Sequence, residues 1–211
     1  VELEPFVDAL CDGRVPDAWS ACSYPSRKPL GSWVADLIMR IQFFRYWLAV
    51  GQPSCYWISG FFFPQGFLSG VLQNYARRHT LAIDLVHFEF EVTADAAPAT
   101  HPAEGVYING LFIEGCRWDA ATRFLAESTS KQLSSELPAV WLRPAPVPTD
   151  APLAPSRAFY NVPLYKTTAR RGTLTTTGHS TNFVLDVRLP SQHPEHHWLK
   201  RGVALVCALD D

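Results

Sequence analysis

The first 80 residues have the hydrophobic pattern of helices. Apolar side chains recur every three or four positions across residues 30–50, which predicts a helix that ends at Gly51 and Pro53. Residues 64–79 predict a second helix, because Pro64 suits its first position and basic residues suit its last turn. The apolar stripe of the first helix consists of Trp33, Val34, Leu37, Ile38, Ile41, Phe44 and Leu48, with Asp36, Arg40 and Arg45 at its flanks.

From Asp84 onward the hydrophobic pattern alternates instead. Residues 85–92 place apolar and polar side chains in turn, as in a strand with one solvated face. Residues 105–119 predict two strands separated by a bend at Gly110, and the proline-rich stretch 144–155 predicts an irregular loop. Further strand candidates are residues 139–144, FYNVPLYKT (159–167), HSTNFVLDVRL (179–189) and WLKRGVALVCAL (198–209).

This order of elements predicts an α+β fold. A helical subdomain over residues 1–80 is followed by an antiparallel β-barrel subdomain of about six strands over residues 84–211. The apolar run 203–209 does not alternate, so we expect both of its faces to be covered. The sequence contains no internal repeat.

A segment without any charged residue, from Tyr46 to Ala76, runs from the end of the first predicted helix into the second and includes the aromatic stretch SGFFFPQGFLSG (59–70). A membrane span is disfavoured because prolines, glycines and amides are spread through the segment, and interrupted backbone is costly in hydrocarbon. The segment therefore belongs to a core or to an interface, and the two interpretations stay open. The interface candidates in it are Phe61, Phe62, Phe63 and Phe67.

The composition of the sequence argues against some classes of binding partner. Only 18% of the residues are charged, below the usual 25% or so, and the net charge of −2 gives no reason to expect nucleic acid or anionic membrane. The five cysteines form no CxxC pair, which favours reduced thiols in the cytosol over a zinc site or a disulfide framework. The sequence begins at Val1 and has Met39 as its single methionine, which indicates a piece of a longer polypeptide.

No group of residues in the sequence assembles an active site. Glu89 and Glu91 share a predicted strand face, which a solvated strand explains. The stretch GTLTTTG (172–178) lacks the pattern of a phosphate-binding loop. The histidines of SQHPEHHW (191–198) lie in a polar turn with no fourth metal ligand in view. Arg170 and Arg171 form a candidate anion or interface patch.

Four segments of the sequence resemble the C-terminal domain of dynein heavy chains of the axonemal type. They are SGFFFPQGFLSGVLQNYARRH (59–79), GVYINGLFIEGCRWD (105–119), VPLYKTTARRGTLTTTGHSTNFV (162–184) and HWLKRGVALVCALDD (197–211). The motif TTGHSTNFV favours the axonemal over the cytoplasmic branch of dynein heavy chains. Cys116, where a small residue such as Ala is expected, and the linker 144–158 depart from the family pattern.

The resemblance implies a mechanical role without catalytic, cofactor-binding or metal residues in this chain. The domain is expected to pack on the AAA+ ring of a minus-end-directed microtubule motor that drives ciliary beating. ATP and Mg²⁺ belong to that ring, and microtubules and dynein intermediate and light chains are met through other parts of the heavy chain. The implied location is the cytoplasm and cytoskeleton, in the axoneme of a cilium or flagellum.

Two other classes of function stay open at this point. One is a stand-alone barrel that binds a small ligand in its mouth, which needs a large apolar cavity with convergent polar groups. The other is a serine hydrolase that uses Ser180 and His179, which needs the two side chains within about 3 Å of each other in a cleft.

Overall fold

The architecture of the polypeptide is given by a computed structural model covering residues 3–148, 159–170, 172–174, 176 and 178–210. The two long helices have the bounds that the hydrophobic pattern predicts. The helices are α1 (Glu4–Cys11), α2 (Asp17–Ala21), α3 (Leu30–Val50), α4 (Pro64–His79) and α5 (Glu195–Lys200), with 3₁₀ turns at Ile58–Gly60 and Ile83–Leu85.

The strands form three sheets, with eleven strands among the described residues. They are β1 (Cys55–Trp57), β2 (Val86–Val92), β3 (Val106–Asn109), β4 (Leu111–Glu114), β5 (Arg117–Asp119), β6 (Phe124–Ala126), β7 (Ser134–Leu137), β8 (Val140–Pro146), β9 (Phe159–Tyr165), β10 (Phe183–Pro190) and β11 (Ala204–Val206). A four-stranded sheet has the order β1-β3-β8-β2, a five-stranded sheet has the order β10-β9-β11-β4-β7, and β5 pairs with β6. Most pairs are antiparallel, but β1 runs parallel to β3 and β11 runs parallel to β9.

The predicted β-barrel is wrong, because the strands of the described residues form open sheets of four, five and two strands. The backbone passes from one sheet to another at Gly110, where β3 ends in the four-stranded sheet and β4 begins in the five-stranded sheet. Gly110 has a φ of +79°, and a Cβ there would lie 2.5 Å from Cδ1 of Trp57. The sequence therefore identified the bend correctly, but this bend divides the strands between two sheets and does not help to close one.

The predicted order of a helical block followed by strands is also wrong. Strand β1 lies between α3 and α4 and pairs with β3, so the early part of the sequence contributes to a sheet. Helix α5 lies within the later part, and its Trp198 is fully buried. The strand candidate 198–209 is consequently only in part a strand, because Trp198 faces the core from a helix and only residues 204–206 pair as a strand.

The apolar run near residue 205 is covered on both faces, as predicted. Strand β11 lies in the middle of its sheet, where Leu205 is opposite Ile113 of β4 and Leu164 of β9. Residues 203–208 are all buried. The core around them joins both large sheets to Leu68 of α4 and Trp198 of α5.

Helix α3 turns a different face to the core from the one that its apolar residues predict. Trp33, Asp36 and Arg40 are buried, and Phe43 and Trp47 pack against the core. The large aromatic rings occupy the core-facing side, and an ion pair allows the two charged residues to join them. Four members of the predicted stripe are exposed instead, namely Val34, Ile38, Ile41 and Leu48.

No helix in the described ranges has the combined length and apolarity to cross a bilayer.

Candidate docking site

The middle of the segment without charged residues, residues 51–63, connects α3 to α4. Helix α3 ends at Gly51, whose φ of +114° is open to glycine, and β1 and a 3₁₀ turn follow. Residues 61–63 then lead into α4, which begins at Pro64. The four candidate phenylalanines therefore lie where the backbone leads from this connection into the second long helix.

Phe61 and Phe67 point inward. Their rings stack with centroids 4.3 Å apart, and Phe67 lies 4.9 Å from the ring of Tyr56. Phe61 also meets the edge of Phe44 on α3 at 5.6 Å. Both side chains are partly buried against the core, so much of their apolar surface is already used within the domain.

Phe62 and Phe63 point outward, with 41% and 63% of their surface exposed. The Phe62 ring meets the Tyr24 ring edge-on at 5.5 Å. The Phe63 ring lies over Gly66, where a Cβ would be 2.4 Å from a ring carbon, and Lys166 Nζ is 5.9 Å from its centre. These two rings are held in place from one side and are exposed to solvent on the other.

A buried ion pair fixes the position of this turn against α3. Arg40 Nε donates to Asp36 Oδ2 at 2.7 Å, and Arg40 Nη1 donates to the carbonyl of Phe61 at 3.2 Å. The same guanidinium lies 3.5 Å from the centre of the Tyr24 ring. Burial raises the pKa of Tyr24 above its ordinary value, and hydrogen bonding to Asp36 raises it further.

The hydrophobic pattern of α3 does not predict this ion pair, because it places Asp36 and Arg40 at the flanks of the apolar stripe. The signal was present, since an acidic residue four positions before a basic one places both on the same helix face. The pair lies among aromatic rings, where each charge needs a partner to offset its desolvation. Its role is to join α3, the turn at Phe61 and Tyr24 into one unit.

Arg170 makes its contacts within the domain. Its guanidinium pairs with Glu114 of β4 and donates to the carbonyl of Gly202, just before β11. Arg170 thereby ties the segment after β9 to β4 and to the residues just before β11. Arg171, the other half of the predicted patch, lies outside the described residues.

One histidine of the cluster at α5 contacts a carboxylate. The rings of His193 and His197 stack at 4.1 Å, and His197 Nε2 lies 2.7 Å from Glu127 Oε1. Arg201 also pairs with Glu127, and these contacts, the hydrogen bond from Arg201 first, lower the pKa of Glu127. Within the described ranges, no three His, Cys, Asp or Glu side chains come together to hold a metal ion.

Neither the candidate hydrolase residues, His179 and Ser180, nor the candidate carboxylates, Glu89 and Glu91, share a common contact. His179 stacks on Phe183 at 4.3 Å, while Ser180 Oγ accepts a hydrogen bond from the backbone of Asn182. Among the described contacts, none joins His179 to Ser180. Glu89 and Glu91 bind different arginines, Arg143 and Arg123.

The fold and this site together define a mixed α/β domain with an aromatic turn on its surface. The protein belongs to the family of the C-terminal domain of the dynein heavy chain, whose family model matches residues 1–207. Human dynein axonemal heavy chain 3 is 50% identical over 211 residues, which are all of this sequence and 5% of that protein. Human axonemal heavy chains 1 and 12 are 49% and 47% identical over 99% of this sequence, which covers 5% and 7% of their lengths.

These matches confirm the resemblance and its axonemal type. The ligand-binding module and the serine hydrolase are not supported, and the open sheets of the described residues form no barrel mouth in which a ligand could sit. The sequence spans only 5% to 7% of the length of these relatives, so each of them is many times longer than the sequence described here.

Proposed function

We propose that this domain is a structural and regulatory part of an axonemal dynein heavy chain and packs on the AAA+ ring of that motor. The single observation that carries the proposal is the match to axonemal heavy chains along the whole sequence at about half identity. In this proposal, the complete protein is a minus-end-directed microtubule motor that works in the axoneme of a cilium or flagellum. Its dynein intermediate and light chains bind other parts of the heavy chain.

The chemistry of the turn supports a docking role. Phe62 and Phe63 expose aromatic surface on a turn that the Asp36–Arg40 pair holds rigid. Aromatic side chains are enriched at the centres of interfaces and among the residues that carry most of the binding energy. Phe61 and Phe67 contribute by anchoring the turn to the core, and Arg170 by holding the segment after β9.

In the complete motor, ATP and Mg²⁺ bind to the ring, and this domain takes no part in the hydrolysis. The glycine- and threonine-rich stretch 172–178 lacks the lysine that a phosphate-binding loop uses. The domain then acts on the motor mechanically, by bracing the ring and by influencing how nucleotide changes in one module reach the others.

Photo-crosslinking in the complete heavy chain tests this role. A benzophenone amino acid replaces Phe62 or Phe63, and the crosslinked peptides are identified by mass spectrometry. We expect intramolecular crosslinks to modules of the AAA+ ring. If neither position reaches the ring, or if Leu133, which is 89% exposed, reaches it with the same yield, the docking role of the turn is refuted.

A further inference from the structure

Thr173 lies on the segment that follows Arg170. Its carbonyl accepts a hydrogen bond from the backbone of Thr181 at 2.9 Å, and Leu174 pairs with Ser180 in an isolated antiparallel bridge. The backbone at Thr173 is therefore non-helical and lies beside residues 180 and 181. Thr173 is exposed, and none of the hydrogen bonds among the described residues uses its hydroxyl. An enzyme can reach that hydroxyl from solvent.

Two arginines precede Thr173, at positions 170 and 171 of the sequence. Protein kinases select their substrates by charge, and the basophilic class carries carboxylates that pair with arginines two and three residues before the acceptor hydroxyl. Arg170 lies three residues before Thr173, and its side chain is 35% exposed and paired with the carboxylate of Glu114. A pair that solvent reaches contributes little to stability, so a kinase carboxylate can take the place of Glu114.

An arginine three residues before a serine or threonine occurs three times in the sequence, before Thr80, Thr173 and Ser191. Ser191 is only 1% exposed, and its hydroxyl accepts a hydrogen bond from Trp198 Nε1 at 2.7 Å. Burial therefore excludes Ser191 as an acceptor in the folded domain.

Thr80 has two arginines at the same positions before it, Arg77 and Arg78, but its backbone is different. Both arginines lie in the last turn of α4, and Thr80 caps the helix in the left-handed conformation with a φ of 55°. A kinase must place the acceptor hydroxyl in line with the γ-phosphate while it binds the preceding arginines, which requires an extended substrate segment. A phosphate at the C-terminal end of a helix is also disfavoured by the helix dipole. The structure therefore favours Thr173, although the two motifs are alike in sequence.

We propose that Thr173 is a phosphorylation site for a basophilic protein kinase, with Arg170 as the recognised arginine. The hydroxyl oxygen of Thr173 attacks the γ-phosphorus of ATP, and its proton passes to the catalytic aspartate of the kinase. An oxygen–phosphorus bond forms at Thr173, the bond from the γ-phosphorus to the oxygen bridging to the β-phosphate breaks, and ADP leaves. The new group carries a charge of about −1.5 to −2 at pH 7, which is comparable to the net charge of −2 of the whole sequence. The inference does not depend on which surface of the domain docks.

Labelling of the complete heavy chain tests the site. The protein is incubated with Mg²⁺–ATP and the catalytic subunit of cyclic AMP-dependent protein kinase, a basophilic enzyme, and phosphopeptides are quantified by mass spectrometry. We expect phosphate on Thr173, and its loss from that peptide in Thr173→Ala. Thr176 is the matched control, because it is exposed on the same segment and has Thr173 instead of an arginine three residues before it. Absence of label on Thr173, or equal label on Thr176 or Thr80, overturns the proposal.

Two variants that break the same ion pair are expected to change the labelling rate in opposite directions. Arg170→Gln removes the recognised charge, so we expect labelling of Thr173 to be about tenfold slower. Glu114→Gln leaves Arg170 free for the kinase, so we expect labelling to be roughly two- to fivefold faster. A mere loosening of the segment would accelerate labelling in both variants, because both lose the contact between Arg170 and Glu114. A rate that rises in both variants, or that changes in neither, overturns the proposal.

Discussion

The guanidinium of Arg40 lies 3.5 Å from the centre of the Tyr24 ring while it also binds Asp36 and the carbonyl of Phe61. A charge in this position stabilises the fold only while its partners are present, because its hydration has been lost. The arrangement joins two distant parts of the sequence to α3. Substitution of Asp36 or Arg40 is therefore expected to disturb the aromatic turn at Phe61 as well.

Asp36→Ala is expected to destabilise the domain by about 3–5 kcal/mol, since it leaves Arg40 buried without its counter-charge. The matched control is Asp12→Ala, which removes the exposed Asp12–Arg14 pair and is expected to change the stability of the domain little. Urea unfolding of the two variants measures the difference. Equal losses in both variants contradict a structural role for the buried pair.

Deletion of residues 202–211 is expected to unfold the five-stranded sheet. Burial of an aliphatic side chain contributes about 1.5–3 kcal/mol, so the loss of four such side chains removes about 6–12 kcal/mol. That loss is comparable to the whole net stability of a domain, about 5–15 kcal/mol. Far-ultraviolet circular dichroism and thermal melting report the result.

The control for that deletion removes residues 210 and 211 alone. Asp210 is exposed and contacts Thr168 and Arg27, so we expect a small effect. If the longer deletion melts within a degree or two of the intact protein, β11 does not hold the sheet together.

Two glycine-to-alanine substitutions are expected to change the stability of the domain in opposite directions. Gly105 has a φ of +76°, and a Cβ there would lie 2.0 Å from the carbonyl oxygen of Leu142, so Gly105→Ala is expected to cost more than about 1–2 kcal/mol. Gly70 lies within α4 with open space around it, so Gly70→Ala is expected to stabilise by about 0.5–1 kcal/mol. Denaturation midpoints measured side by side test the pair of signs.

The five cysteines are expected to react with iodoacetamide in an order set by burial. Burial raises the pKa of both Cys116 and Cys207 to about 12, which lowers the thiolate fraction at pH 8 roughly a thousandfold relative to an unperturbed thiol. Cys11 and Cys22 are exposed and are expected to be labelled first. Mass spectrometry of the labelled peptides gives the order, and rapid labelling of Cys207 in the native state contradicts the burial of the 203–208 run.

The isolated domain is expected to bind neither ATP nor Mg²⁺–ATP. The sequence offers no phosphate-binding loop, and the proposed function places nucleotide in the ring. Calorimetry is the direct measurement, and an unchanged thermal midpoint in millimolar Mg²⁺–ATP supports it. Binding tighter than about millimolar would falsify the expectation.

The sequence was sufficient to predict those features that depend on residues close together in the sequence. The end of α3 follows from Gly51 and the start of α4 from Pro64, and the bend at Gly110 follows from glycine between two apolar runs. The burial of residues 203–208 followed from the absence of alternation. The aromatic turn was located, but its division into inward and outward rings was not predicted.

The features that the sequence did not predict depend on contacts between distant residues. Nothing local to Cys55–Trp57 indicates that this strand pairs with Val106–Asn109, and nothing local to Leu111 shows that it starts a second sheet. The sequence did not predict which face of α3 is buried in the core. A charged residue such as Arg40 is normally exposed, and its burial here depends on contacts with the distant residues Tyr24 and Phe61.

The position of β11 between β9 and β4 has a consequence for biosynthesis. Until the ribosome has released residues 204–206, the five-stranded sheet exists only as two separate antiparallel pairs, each with an uncovered edge. The strand that bridges them is translated after all the other described strands, so the sheet is completed late in the synthesis of this domain. Until then, we expect the nascent domain to depend on chaperones, because unpaired edges invite pairing with other polypeptides.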